Sequence, residues 1–192
     1  MIDKPARKTP RMTGEGRLPG DLTKDQMIER MIRVDHAGEF GAVRIYEGQL
    51  AVLGNSPLAP AIREMAQQER QHLAHFETLV TGRRVRPTAL SPLWHVAGFA
   101  LGAATAALGE KAAMACTAAV EEVIDDHYAG QAAQLGEDEA ELKAKIEQYR
   151  AEEIEHRDTA YAHGARGAPA YPLLTGAIKA GSRLAIWLST RV

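Results

Sequence analysis

One pattern occurs twice in this chain of 192 residues: a helical glutamate, a turn, and then a Glu-x-x-His sequence on the following helix. The glutamate precedes the Glu-x-x-His by 30 residues in the first copy and by 32 in the second. Residues three apart on a helix share one face, about one turn from each other, so each carboxylate–imidazole pair can reach a single metal ion. The residues of the pattern are Glu39, Glu69, His72, Glu121, Glu153 and His156.

Six helices are predicted from the residues that start and end them. Gly54-Asn55, Gly82 and Gly136 are typical helix ends, and Ser-Pro pairs at Ser56 and Ser91 are typical helix starts. No segment shows sustained two-residue alternation bounded by hairpin turns, so no sheet is expected. The predicted helices cover residues 22–53, 57–81, 91–109, 110–135, 138–163 and 171–190.

Two single glutamates and two Glu-x-x-His pairs on four helices form the ligand set of ferritin-like bundles that hold a carboxylate-bridged di-iron centre. Carboxylates can bridge two irons, neutral imidazole suits iron, and four carboxylates offset the charge of two ferrous ions. A lone Glu-x-x-His would be weak evidence, whereas the repeat is specific. Glu153 is preferred over Glu152 because it precedes His156 by three residues, while Glu121 and Glu122 both remain candidates.

Composition fits one globular domain. Hydrophobic residues are 45% of the chain and charged residues 25%, and the net charge of −2 gives no support to a nucleic-acid partner. Cys116 is the only cysteine, which excludes an intrachain disulfide or a thiolate metal cage. Residues 1–20 are polar and basic without an apolar core, and we expect a disordered tail there, followed by a single helical domain over residues 21–192.

Two helices outside the four ligand-bearing ones are candidates for contact with a membrane. Residues 87–109 carry no formal charge, and they form either a buried core helix or one that dips into a leaflet beside the arginine-rich turn at 83–86. On the last helix a basic stripe with an interfacial tryptophan recurs every four residues. We expect these two helices to face the membrane. The stripe consists of Lys179, Arg183, Trp187 and Arg191.

Several stretches of the chain are more specific than the bare ligand spacing. They are Arg33-Val-Asp-His-Ala-Gly-Glu39-Phe-Gly-Ala, Arg44-Ile-Tyr46-Glu-Gly-Gln49, Arg84-Val-Arg-Pro-Thr88, Pro92-Leu-Trp94, Gly98-Phe-Ala-Leu-Gly102, Ala113-Met-Ala-Cys-Thr117, Val120-Glu-Glu122, His127-Tyr128 and Glu152-Glu-Ile-Glu-His156. Through these stretches the chain resembles the 5-demethoxyubiquinone hydroxylase family of ubiquinone biosynthesis, from about Asp21 to its C-terminus.

The resemblance implies iron ligation by the six residues of the repeat, with Glu121 rather than Glu122, and with Glu69 and Glu153 as bridging carboxylates. It implies an O₂-dependent monooxygenase that hydroxylates a polyprenylated methoxy-methyl-benzoquinol, with electrons from NADH or from a reduced quinone. The expected partners are membrane lipid, a lipid-binding accessory protein of the same pathway and a second copy of the chain. The absence of a long leader favours a bacterial protein, peripheral on the cytoplasmic face of the inner membrane.

Four further residues lie near the predicted ligands. His36 and Tyr46 flank Glu39 on one helix, and His127 and Tyr128 follow Glu121 on another. Each either orients a ligand or is an ordinary polar group of the bundle. Tyr128 and His127 are the candidates for a catalytic role in passing electrons or protons. The alternatives to the hydroxylase are a ferroxidase without organic substrate, a peroxide reductase and a membrane-docking scaffold with a structural metal.

Overall fold

The structure is a computed structural model that describes residues 20–192. Within that range it contains six α-helices, two short 3₁₀ turns and no strand, which confirms the all-α prediction. The predicted disordered tail lies outside the described residues, apart from Gly20. The helices are α1 (Lys24–Leu53), α2 (Ala59–Gly82), α3 (Ser91–Ala107), α4 (Glu110–Ala132), α5 (Ala140–Ala162) and α6 (Tyr171–Ser189).

Most helix starts follow from local side-chain chemistry. Thr23 and Gln26 form a reciprocal capping box that satisfies free backbone N–H groups at the start of α1. A proline lies in the first turn of α2, α3 and α6, where no intrahelical donor is lost. The prediction for α2 was wrong by two residues, because Ser56 and Pro57 form a turn before the helix begins at Ala59.

The α1–α2 hairpin packs against the α4–α5 hairpin to form an antiparallel four-helix bundle. Two apolar clusters fill its ends. One includes Ile32, Phe76 and Ile146, and the other includes Ile62 and Ala115, all of them fully buried. Burying a large apolar side chain contributes about 1.5–3 kcal/mol, so these clusters stabilise the bundle on both sides of a middle layer whose buried side chains are polar.

Helix α3 lies along the outside of α1, and glycines allow their backbones to touch. A Cβ atom on Gly102 would lie 1.9 Å from the carbonyl oxygen of Ile45, and one on Gly48 would lie 2.2 Å from that of Phe99. The opposite face of α3 exposes Val96, 65% accessible. Helix α3 is therefore an outer helix, packed on one side only, rather than a core helix that crosses the bundle.

Helix α6 lies across α4 and contributes exposed apolar side chains, among them Leu173 and Trp187. Part of its predicted basic stripe turns toward α4: Lys179 forms an ion pair with Glu122, and Arg183 lies 4.0 Å from Asp126. Arg191 stacks on Trp187 at 4.0 Å. Within residues 20–192, the helices all fall short of the length and apolar character needed to cross a membrane.

We expect Gly102→Ala to destabilise the protein, because the added methyl group would collide with backbone of α1 that has no side-chain freedom to move. Overpacking of this kind costs about 1–3 kcal/mol, measured as the free energy of unfolding in urea. The control is Gly176→Ala on α6, where a Cβ meets nothing within 4 Å. An exposed helical glycine gains stability on replacement by alanine, so equal losses in both variants would contradict the tight α1–α3 contact.

Candidate metal centre

The middle layer of the bundle brings together all six residues of the sequence repeat. Each of them is at most 3% exposed, and they arrive from α1, α2, α4 and α5. They form two overlapping groups of four, in each of which one ligand atom per residue lies within 4.8 Å of the others. One group comprises Glu39, Glu69, His72 and Glu153, and the other comprises Glu69, Glu121, Glu153 and His156.

Glu69 and Glu153 belong to both groups, so these two carboxylates lie between two potential metal positions. The histidines lie on either side, with ring centroids 6.5 Å apart. Both present Nδ1 to the carboxylates: His72 Nδ1 is 3.1 Å from Glu153, and His156 Nδ1 is 3.1 Å from Glu69. Each group therefore offers three carboxylates and one imidazole nitrogen, a donor set suited to iron.

The outward nitrogen of each histidine is held by a side chain from the opposite hairpin. His72 Nε2 donates to Glu152 at 2.5 Å, and His156 Nε2 donates to the amide oxygen of Gln68, also at 2.5 Å. Because both partners accept at these atoms, Nε2 of each histidine carries a proton. Nδ1 of each histidine faces the cluster carboxylates, where it would serve as a metal ligand once it carries no proton.

Two tyrosines cross between the hairpins in the same reciprocal manner. Tyr46 on α1 donates to Glu121 on α4 at 2.9 Å, and Tyr128 on α4 donates to Glu39 on α1. Each tyrosine follows the glutamate of its own helix by seven residues, so the repeat extends to these positions. These hydrogen bonds orient Glu39 and Glu121, the two glutamates that each belong to only one of the two groups.

The electrostatics are those of a buried acidic cluster. Burial raises the pKa of Glu69 and of Glu121 well above the ordinary value, and neighbouring carboxylates add to the effect. Burial opposes the charged form of His72 as well, but the carboxylates of Glu153 and Glu39 raise its pKa to about 12. Four buried carboxylates thus draw positive charge to the site, which a metal pair would supply.

Several buried ligand atoms have close neighbours but no hydrogen-bond partner in the described residues. They are Glu39 Oε2, Glu69 Oε1 and His72 Nδ1. His156 Nδ1 lies 3.1 Å from Glu69 Oε1 but forms its hydrogen bond with Glu153 Oε2, at 3.0 Å. Unsatisfied buried polar atoms cost stability, and metal coordination would satisfy them. The residues present therefore fit a di-iron pair.

Glu122 lies outside the cluster. It accepts a hydrogen bond from Tyr161 and an ion pair from Lys179, and its side chain is 30% exposed. Burial alone would raise its pKa, but these two partners lower it below the ordinary value. Of the two glutamates that the sequence left open, Glu121 is the one that joins the cluster.

His127, predicted as a catalytic candidate, lies at the edge of the cluster rather than within it. Its Nε2 is 3.1 Å from Asp35, a buried carboxylate that also accepts from Gln131 at 2.7 Å. Sequence reasoning missed Asp35, which precedes Glu39 by one turn. It also missed Gln68 and Glu152, although both directly precede the glutamate of a Glu-x-x-His.

An apolar cavity of about 380 Å³ extends from this edge toward the protein surface, between α1, α3, α4 and α6. A smaller space of about 30 Å³ touches the cluster glutamates, His127 and Tyr128, and it shares six lining residues with the large cavity. The smaller space therefore lies between the large cavity and the cluster. The shared residues are Val34, Gly38, Ala42, Val120, Ile124 and Ile186.

A four-helix bundle with two Glu-x-x-His pairs and two further glutamates directed inward is the arrangement of the ferritin-like carboxylate proteins. Within that class, residues 26–189 match the family described as "Ubiquinone biosynthesis protein COQ7". The chain belongs to this family, which confirms the predicted resemblance.

Named relatives cover most of the chain. It is 63% identical over 183 residues to the 3-demethoxyubiquinol 3-hydroxylase of Rhodospirillum rubrum, covering 95% of this chain and 86% of the relative. It is 56% identical over 172 residues to the mitochondrial NADPH-dependent 3-demethoxyubiquinone 3-hydroxylase of Dictyostelium discoideum, covering 88% and 79%. It is 42% identical over 182 residues to the mitochondrial 5-demethoxyubiquinone hydroxylase of Saccharomyces cerevisiae, covering 86% and 78%.

Glu121→Gln and Glu122→Gln form a matched pair of variants. We expect Glu121→Gln to bind about one ferrous ion fewer than the wild type, because one group of four loses a carboxylate ligand. Glu122→Gln should keep the wild-type iron content, since its side chain faces α6. Iron content is measured by elemental analysis after anaerobic loading, and helix content by circular dichroism. Equal iron loss in both folded variants would contradict the assignment of Glu121 to the cluster.

Proposed function

We propose that the protein is a di-iron monooxygenase that hydroxylates a polyprenylated demethoxyubiquinol in ubiquinone biosynthesis. Family membership and the names of the relatives support the reaction class. The single structural observation that carries the proposal is an apolar cavity large enough for an organic ring, which lies beside a buried cluster of carboxylates and histidines. A ferroxidase without organic substrate would have no need of such a cavity.

The six clustered residues are proposed as the ligands of two irons, with Glu69 and Glu153 shared between them. When bound, the iron pair would supply the activation of O₂ and the electrons for cleaving its O–O bond. In the overall reaction a ring C–H bond becomes C–OH, the second oxygen atom leaves as water, and two electrons and two protons are consumed. NADH or a reduced quinone is the proposed electron source, and the names of some relatives add NADPH as a candidate.

The walls of the cavity would bind and orient the substrate. They are built mainly from small and aliphatic side chains, so a quinol ring would be held by shape and by exclusion of water rather than by charge. Tyr128 is buried at the inner end, where its hydroxyl group donates to Glu39. We propose that it moves a proton or electron between substrate and cluster, and that the His127–Asp35 pair acts beside it.

The two outer helices that line the cavity, α3 and α6, also carry exposed apolar residues. We propose that these two helices contact the membrane, so that the prenyl tail remains in lipid while the ring enters the cavity. The cytoplasmic face of a bacterial inner membrane is the proposed location, with a lipid-binding accessory protein or a second copy as further partners of this surface. The exposed residues are Leu93, Val96, Leu173, Leu184 and Trp187.

The proposed function is tested by mass spectrometry of the product formed by iron-loaded protein from reduced demethoxyquinol and ¹⁸O₂. We expect a quinol that carries one labelled oxygen atom. Folded protein with two irons that oxidises ferrous iron but leaves the quinol unchanged would overturn the hydroxylase proposal and favour the ferroxidase.

A companion variant tests the cavity itself. Gly41 lines the cavity on α1, and a Cβ atom there would meet nothing within 4 Å, so Gly41→Leu should fold while filling the space meant for substrate. We expect at least a tenfold loss of kcat/KM with an unchanged iron content. Gly176→Leu, on exposed α6 surface away from the cavity, is the control and should retain activity.

Tyr128→Phe and Tyr46→Phe separate a role in the reaction from a role in ligand orientation. Both tyrosines are buried and donate to a glutamate of the cluster, but only Tyr128 lines the small space between the cluster and the large cavity. We expect a larger loss of kcat in Tyr128→Phe at equal iron content, by about 10²-fold, as for loss of a proton-transfer group. Equal losses in the two variants would assign Tyr128 to orientation alone.

A further inference from the structure

The two histidines of the cluster donate their Nε2 protons to different chemical groups. The acceptor for His72 Nε2 is the carboxylate of Glu152, whereas the acceptor for His156 Nε2 is the neutral carboxamide of Gln68. Gln68 and Glu152 occupy the same place in the two copies of the repeat, directly before the glutamate of Glu-x-x-His. The two halves of the centre therefore match in geometry and differ in charge at one position.

This difference bears on how strongly each histidine binds a metal ion. A hydrogen bond to a carboxylate is charge-assisted and stronger than one to a neutral amide. It moves electron density onto the imidazole and makes the inward-facing Nδ1 a more basic ligand. The imidazole of His72 is therefore the stronger donor of the two, while the remaining ligands of both groups are carboxylates.

The structure also fixes the Glu152 side chain in place. Gln148, one turn earlier on α5, donates to Glu152 Oε1 at 2.8 Å, and Lys145 donates to Gln148 at 2.9 Å. Tyr149 packs on the ring of His72, with centroids 4.0 Å apart. The carboxylate is thus oriented toward His72 by its own helix, within hydrogen-bond distance of Nε2.

We propose that Glu152 and Gln68 make the two metal positions unequal, so that the group containing His72 binds a divalent cation more tightly than the group containing His156. Glu152 is a positioning residue that acts through His72. The inference rests on the metal centre of the proposed function and adds an order of filling to it.

The test is a titration of the full metal-free chain with Mn²⁺, followed by the electron paramagnetic resonance signal of the free ion. The wild type should bind two ions in two steps of unequal affinity. Glu152→Gln should weaken the tighter step about tenfold, the lower end of the usual effect of removing such a partner, and leave the weaker step unchanged. Gln68→Glu should strengthen the weaker step and bring the two affinities together.

Variants that retain one position assign each step. In His156→Ala, which keeps the His72 group, adding Glu152→Gln should again weaken binding about tenfold. In His72→Ala the same change should have no effect, because the ring through which Glu152 acts is gone. Glu155→Gln removes an exposed carboxylate from the same turn of α5 and is the charge control. The double variant Gln68→Glu/Glu152→Gln should restore two unequal steps.

The outcomes separate the inference from the proposed function. The inference alone would be overturned if the protein bound two ions but neither Glu152→Gln nor Gln68→Glu changed the affinity of either binding step. It would also be overturned if Glu155→Gln changed these affinities as much as Glu152→Gln does. Failure of the folded wild-type chain to bind two ions would overturn the metal centre and the inference together. If Glu152→Gln lost its helical circular dichroism, folded Gln68→Glu would still test the inference, because its weaker binding step should become tighter.

Discussion

The rest of the structure depends on one unfavourable interaction, the repulsion among four buried carboxylates, two of which are within 4.8 Å of all the others. Glu39, Glu69, Glu121 and Glu153 are each at most 3% exposed. Like charges at such distances repel by about 4 kcal/mol per pair at an effective dielectric constant of 20. The apolar clusters at both ends of the bundle offset part of this cost, and protons or metal cations must offset the remainder.

The hydrogen bonds around the cluster follow the internal repeat of the chain. Tyr46 and Tyr128, and likewise Gln68 and Glu152, occupy equivalent positions in the two hairpins and bond to residues of the opposite hairpin. Each hairpin thus completes the site of the other. Neither hairpin alone can assemble the centre, so its formation is coupled to the docking of the two halves.

The helices and the six clustered residues could be predicted because they depend on spacing along the chain. Three-residue spacing fixes a shared helical face, and proline, glycine and capping residues fix the ends of helices. The choice between Glu121 and Glu122 could not be made from spacing, because neighbouring residues on a helix differ by only 100° and packing decides which one points inward.

Other features depend on contacts between segments distant in sequence. The pairing of Lys179 with Glu122 joins α6 to α4, so this part of the basic stripe faces the protein. The Asp35–His127 pair and the bonds from Gln68 and Glu152 likewise join separate helices. The cavity could not be predicted from the sequence, because it depends on how four helices are placed relative to one another. Three of these helices contribute glycines to its lining, and a glycine in a sequence can mark either a close backbone contact or an open space.

The two outer helices bound the cavity in unequal ways. Helix α3 is fixed to α1 by backbone contact at glycines, whereas no Cα atom of α6 comes within 8 Å of α3 in the described residues. A hydrogen bond of 3.0 Å from Trp94 Nε1 to Ser189 Oγ spans the gap between them. One wall of the entrance is therefore fixed to the bundle by backbone contact, while α6 is packed on α4 through Ile178 and the Lys179–Glu122 pair and is joined to α3 by this one hydrogen bond among the described residues. The width of the entrance between α3 and α6 thus depends on one hydrogen bond at the last turn of α6, far from the packed contacts that hold the helix to the bundle.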